Sequence, residues 1–116
     1  MRSSLFIAPS ADAVRRSREL GADAIEFHTG AYAHHASDPA TLRALAQGAA
    51  AAAALGLGVH AGHGLTVRNV GPVAAIPEIE ELNIGHSIVS RAIFVGLTAA
   101  VREMRAAMDA ARRASR

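Results

Sequence analysis

Short apolar runs and helix-forming stretches take turns along this chain, and that alternation most limits what it can fold into. Strand-length segments lie at residues 4–8, the most apolar of them, and at 24–27, 57–61 and 81–84. Each has the length of a β-strand and ends in a turn signal. Between the first two, Ser10 is a good N-cap for a helix over residues 11–20, which Gly21 ends. Asp38 followed by Pro39 marks the start of the next helix. Leu42, Leu45, Ala46, Ala49, Ala52 and Ala53 recur in it at helical spacing, and Gly56 closes it. A short helix is expected near residues 69–75, before Pro77. A last helix begins near Ser87, with Ile93, Leu97, Val101, Met104 and Met108 expected as its buried stripe.

Strand–helix alternation argues for an α/β fold with a parallel sheet and right-handed crossovers. Four such units are half of an eight-unit (β/α)8 TIM barrel. Residues 1–116 therefore read as one partial TIM-barrel domain. A half-barrel leaves two open sheet edges and an uncovered inner face, so pairing with another half, or with a copy of itself, is expected.

Composition narrows the function. Hydrophobic residues make up 51% and aromatics 3% of the 116 residues, so the core is aliphatic and rich in alanine. The net charge is +2 and every cationic side chain is arginine. Arg102, Arg105, Arg112, Arg113 and Arg116 crowd the end of the chain. They stand without stacking aromatics, which reads as a solvated helix end rather than a nucleic-acid surface. With no cysteine there is neither a disulfide framework nor a thiolate metal site. No apolar run reaches the roughly 18 residues of a membrane span, and the start carries no long apolar leader region. A cytoplasmic protein that binds neither membrane nor nucleic acid is the expectation.

The polar residues gather at the strand ends. His28-Thr29-Gly30, Gly62-His63-Gly64 and Gly85-His86-Ser87 follow three successive strands. In an α/β barrel those ends open on one face, where active sites lie. Each histidine alone could be structural; together they point to a site. Gly62, Gly64 and Gly85 let a ligand approach the backbone, and Gly85-His86-Ser87 opens a helix whose free N–H groups suit an anion. Gly64, Gly85 and His86 are thus candidate phosphate-binding residues, the alternative being glycines that serve turns only. Glu26 alternates with Ile25 and Phe27, so Glu26 and His28 are expected on the inner face. There Glu26 either serves the site or joins a structural ion pair.

A metal reading of His60 and His63 with His28, His86 and Glu26 is weaker. Residues three apart on a strand point to opposite faces. His34 and His35 are expected in a polar loop, and Tyr32 either covers the site or packs a loop. Arg68 and Asn69 are candidate ligand contacts. Arg91 is expected in a local salt bridge.

These residues carry a resemblance. Ser4-Leu5-Phe6-Ile7, Ile25-Glu26-Phe27-His28-Thr29-Gly30-Ala31-Tyr32-Ala33, Gly58-Val59-His60-Ala61-Gly62-His63-Gly64-Leu65-Thr66 and Glu81-Leu82-Asn83-Ile84-Gly85-His86-Ser87-Ile88 resemble successive segments of the pyridoxine 5′-phosphate synthase family. Ala74-Ala75-Ile76-Pro77-Glu78-Ile79 and Arg91-Ala92-Ile93-Phe94-Val95-Gly96-Leu97 are similar to it too. The resemblance implies the C-terminal half of a (β/α)8 enzyme. Its reaction condenses 1-deoxy-D-xylulose 5-phosphate with 3-amino-2-oxopropyl phosphate, giving pyridoxine 5′-phosphate, a transferase-class step of vitamin B6 biosynthesis. It implies His63 as the proton donor, Glu26 as the stabiliser of charged intermediates, and Gly64, Gly85 and His86 as binders of phosphorylated substrate. It implies no metal, no cofactor and a homo-octamer.

Two departures qualify this. The family's N-terminal half, which supplies the general base, a second glutamate and phosphate-binding arginines, is expected to be missing from this sequence, so the chain alone is expected to be nearly inactive. Ala8 stands where the family usually has Asp, and His60 where it has Asn. Two other functions stay open: a non-catalytic phosphate-binding half-barrel module, and a metal-dependent barrel hydrolase.

Overall fold

The computed structural model describes residues 1–115. Its elements run β1 (Ser4–Ile7), α1 (Ala11–Glu19), β2 (Ala24–His28), α2 (Gly30–His34), α3 (Pro39–Ala54), β3 (Gly58–Gly62), α4 (Val70–Ala74), β4 (Glu81–Asn83), α5 (His86–Val95) and α6 (Leu97–Ala114). The strands form one sheet in the order β1-β2-β3-β4, every pair parallel. Neighbours in sequence are neighbours in space, as in successive units of a barrel wall. The chain is thus an α/β half-barrel.

Local chemistry starts the helices where the sequence marks them. The Ser10 hydroxyl accepts from the Ala13 N–H at 3.1 Å and caps α1. Asp38 Oδ1 accepts from the Ala40 N–H at 2.9 Å, and Pro39 fills the first turn of α3.

One face of the sheet is covered by helices and the other is not. Ile25, Phe27, Val59 and Ala61 are fully buried against a core that includes Val14, Leu45, Ala49, Ala52, Val70, Val73 and Met104. On the opposite face Phe6 is 58% exposed, and Glu26, His28 and His60 are half-buried.

Gly48 lies in the middle of α3, where glycine ordinarily costs helix stability. Packing explains it. A Cβ there would meet Phe27 Cζ at 2.9 Å and two more ring carbons at 3.4 Å. The Phe27 ring sits directly on the helix backbone, so the sheet and α3 approach more closely than alanine would allow.

The structure departs from expectation in three places. The last helix is two helices, α5 and α6, parted at Gly96 with φ +84°. The break rotates the apolar stripe. Met104 is buried and Met108 half-buried, but Ile93 is 80% exposed and Leu97 and Val101 are also exposed. Second, Arg112 is not part of a solvated end. Its guanidinium donates to the carbonyls of Ala74 (2.8 Å), Ile76 (2.6 Å), Pro77 (3.1 Å) and Ile79 (3.2 Å), clamping the segment between α4 and β4. Arg105 pairs with Asp109 on its own helix at 3.1 Å; Arg116 lies outside the described residues. Third, the segment with His34 is helical, as α2. Among the described residues no helix is long and apolar enough to cross a membrane.

The Phe27–Gly48 contact predicts a reversed sign for a familiar substitution. Gly→Ala in a helix interior normally gains up to about 1 kcal/mol. Gly48→Ala should instead lose stability, because overpacking costs about 1–3 kcal/mol. Urea denaturation reads this directly, and a raised midpoint would show that Phe27 is free to move aside.

Candidate active site

Because all four strands are parallel, their C-terminal ends share one rim. Register places the side chains along it. Glu26 pairs with His60, and His28 with Gly62. Alternation sends Ile25 and Phe27 into the helical layer and leaves Glu26 and His28 on the inner face. The Glu26 carboxylate lies over Gly62: a Cβ at Gly62 would stand 2.6 Å from Glu26 Oε1 and 2.7 Å from the Asn83 carbonyl oxygen. Glycine at this position makes the space the carboxylate occupies.

The β2 and β3 exits meet next. The His28 and His63 rings stack with centroids 4.3 Å apart and planes 25° apart. Phe6 lies at 5.2 Å from the His28 ring, tilted by 60°. His28 Nδ1 accepts from the Gly30 N–H at 3.1 Å, which puts the proton of the neutral ring on Nε2. His63 has φ +93°, the only non-glycine residue with positive φ among those described. Gly64 follows with φ +73°.

The loop after β3 is tied on two sides. The Thr29 hydroxyl donates to the His63 carbonyl at 2.5 Å. The Tyr32 hydroxyl donates to the Asn69 carbonyl at 2.5 Å. Asn69 Oδ1 accepts from the Thr66 N–H at 2.7 Å, and its Nδ2 donates to the Gly64 carbonyl at 3.2 Å. The Ser87 hydroxyl donates to the Leu65 carbonyl at 2.6 Å, joining the loop to the first turn of α5.

The result is a cleft of about 680 Å³ whose lining includes Glu26, His63, Gly64, Asn83, Gly85 and His86. All five candidate site residues from the sequence stand in it. His63 and His86 are exposed to it, and Gly85 is the residue before the first turn of α5. An acid–base group, a carboxylate and a glycine-lined helix start facing one space can grip an anion and move a proton beside it.

Other candidates fall elsewhere. Asn69 spends its side chain holding the loop. Tyr32 is buried and serves packing and the Asn69 bond rather than a lid. Arg68 lines a neighbouring cleft behind Ser87, together with Arg91 and Glu103. Arg91 pairs with Glu103 at 3.0 Å, across two helices rather than within one. That hydrogen bond holds the Glu103 carboxyl below its ordinary range and raises the Arg91 guanidinium. Among the described residues no three His, Asp or Glu side chains converge as a metal site needs. Two contributors escaped sequence reasoning, Thr29 and Ser87. Short hydroxyl residues at strand exits carry no periodic signal, and their carbonyl partners are 34 and 22 residues away.

The fold places this cleft at the strand C-terminal ends of a (β/α) barrel wall, the place where such barrels carry their chemistry. Comparison with known proteins gives the family. The family described as "Pyridoxal phosphate biosynthesis protein PdxJ" matches residues 1–110. Pyridoxine 5′-phosphate synthase of Synechococcus sp. (strain CC9902) is 54% identical over 112 residues, covering 95% of this chain and 45% of that protein. The synthase of Caulobacter vibrioides (strain NA1000 / CB15N) is 53% identical over 117 residues, covering 96% and 46%. That of Jannaschia sp. (strain CCS1) is 49% identical over 118 residues, covering 97% and 48%. The chain belongs to the PdxJ family, and it spans about half the length of the curated relatives it matches.

Tyr32 offers a clean test of the loop anchor. Burial raises its phenol above the ordinary value. The folded state therefore holds the proton more tightly than the unfolded chain, where tyrosine titrates near about 10. That stability is complete below the unfolded value and is lost as pH rises through the folded one. The chain has one tyrosine, no cysteine and no lysine, so little else titrates there. Tyrosinate absorbance should show a late transition accompanied by loss of stability, and Tyr32→Phe should flatten the alkaline limb. A titration at the ordinary tyrosine pH would contradict the buried anchor.

Proposed function

We propose that this chain carries the phosphate-gripping and proton-donating half of a pyridoxine 5′-phosphate synthase. In this reading it acts on 1-deoxy-D-xylulose 5-phosphate and 3-amino-2-oxopropyl phosphate. His63 donates a proton to the departing oxygen. Glu26, whose carboxylate lies over Gly62, stabilises positive charge as it develops in the intermediates. Gly64, Gly85 and His86 hold substrate phosphate at the start of α5, where free N–H groups and the helix dipole favour an anion.

The observation that carries the reading is the common cleft shared by Glu26, His63, Gly64, Gly85 and His86. Family membership supports it, because the relatives bear the name of that synthase. The base, the second glutamate and the arginines of the other phosphate site belong, by resemblance, to the half of the barrel that this chain does not span. The chain is accordingly a fragment of a transferase-class site with little turnover of its own. It works in the cytoplasm as part of a homo-oligomer, an octamer in the whole protein, without metal or cofactor.

A second reading rests on the length of the match, 45–48% of the relatives. On it, the chain is a phosphate-binding half-barrel without turnover. Two measurements separate the readings. Calorimetric titration of the chain with each substrate should show binding that His86→Ala weakens. Adding the N-terminal half of the Caulobacter vibrioides relative should restore product formation. In that assembly His63→Asn should lower kcat by about 10²–10⁴, the ordinary worth of a general acid. Binding without any rescued turnover would favour the second reading. Vigorous turnover by the chain alone would refute the division of labour.

A further inference from the structure

His63 combines two properties that are hard to keep together. It is exposed to the cleft, and it holds a backbone conformation that L-residues rarely adopt. A non-glycine residue stays at positive φ only where its surroundings over-determine it. The surroundings here come almost wholly from three consecutive residues at the β2 exit.

Thr29 is fully buried. Its N–H donates to the Gly62 carbonyl at 2.8 Å, and its hydroxyl donates to the His63 carbonyl at 2.5 Å. The Gly62 carbonyl belongs to the peptide plane before His63, and the His63 carbonyl to the plane after it. One residue thus fixes both planes that bracket the His63 Cα. The side chain is held from the same segment. His28 stacks on the His63 ring at 4.3 Å, and the Gly30 N–H pins His28 at 3.1 Å. Gly30 is needed for that arrangement, since a Cβ there would fall 2.3 Å from His28 Cε1 and 3.3 Å from His63 Cδ2.

We propose that Thr29, with His28 stacked alongside, is the positioning residue for His63: its hydroxyl and N–H hold the backbone that aims the imidazole into the cleft. Thr29 is fully buried and is not among the residues that line the cleft. It acts through His63 alone, so the inference rests on the reading of His63 as the proton donor. The threonine supplies what a hydroxyl can give and a methyl cannot, a donor to a part-buried carbonyl at the β3 exit.

The test compares Thr29→Val, which keeps the shape and removes the donor, with Thr29→Ser, which keeps the donor. In the isolated chain, the His63 ring protons should carry the ring-current displacement of the stack, read by NMR without any substrate. Thr29→Val should lose that displacement and Thr29→Ser should retain it. In the assembly with the complementary half, Thr29→Val should lower kcat by about tenfold to a hundredfold with KM nearly unchanged, the scale on which small misplacements act. Thr29→Ser should stay within about threefold of the parent on the same scale. If Thr29→Val does not fold, His28→Leu decides. Its site is half-buried at the rim, and loss of the stack should lower kcat by about tenfold. A parental NMR displacement in Thr29→Val, or parental kcat in a folded Thr29→Val or in His28→Leu, would overturn the proposal. The NMR arm stands apart from turnover: loss of the stack in Thr29→Val with no product from any assembly would leave the positioning intact and sink the synthase reading.

Discussion

β2 lies against β3 with Glu26 opposite His60 and His28 opposite Gly62, and the rest of the site hangs from that register. A slip by one residue would send Glu26 and His28 into the helical layer and bring Ile25 and Phe27 to the rim. The slip is blocked because Ile25 and Phe27 are fully buried among aliphatic side chains. The site is therefore held in place by the core on the other face of the same strands. Burial of Phe27 on Gly48 and display of Glu26 over Gly62 are two consequences of one alternation.

From that register the rim is built by polar side chains acting on backbone. Thr29, Tyr32, Asn69 and Ser87 all bond to carbonyls of the segment from His63 to Asn69 or are bonded by its N–H groups. The cleft is then free to present groups that are not consumed in holding it together. Arg112 does the same job at the C-terminal end of α4, where four carbonyls converge on one guanidinium. A chain with few aromatics and much alanine buries modest area per residue, so hydrogen bonds to loop backbone carry more of the burden of local order.

Half a barrel leaves apolar surface in solvent. Phe6 on the inner sheet face, and Ile93, Phe94 and Leu97 where α5 turns into α6, are all exposed. Exposed groups of this size commonly mark contact surfaces. They agree with a chain that spans about half of its relatives' length.

Local chemistry was legible in the sequence. Caps at Ser10 and Asp38, Pro39 in the first turn, and glycines after helices are each decided within a few residues, so they could be read without the fold. So could the inner placement of Glu26 and His28, because strand alternation has a period of two. The convergence of the three polar strand ends was also legible, since parallel β/α units leave one choice of rim. The break at Gly96 was not: an apolar stripe continues through it, and only the packing of α6 against α4 and α5 shows which part of the stripe is covered. The role of Arg112 was hidden in the same way, its carbonyl partners lying 33 to 38 residues back. Sequence alone settled the four strands, the helices α1, α3 and α4, and which way the strand side chains would alternate, because those are short-range steric facts. Tertiary structure alone decided the positive φ of His63, the His28 stack and the hydroxyl that holds them, because those need two strand exits, distant in sequence, brought to bonding distance.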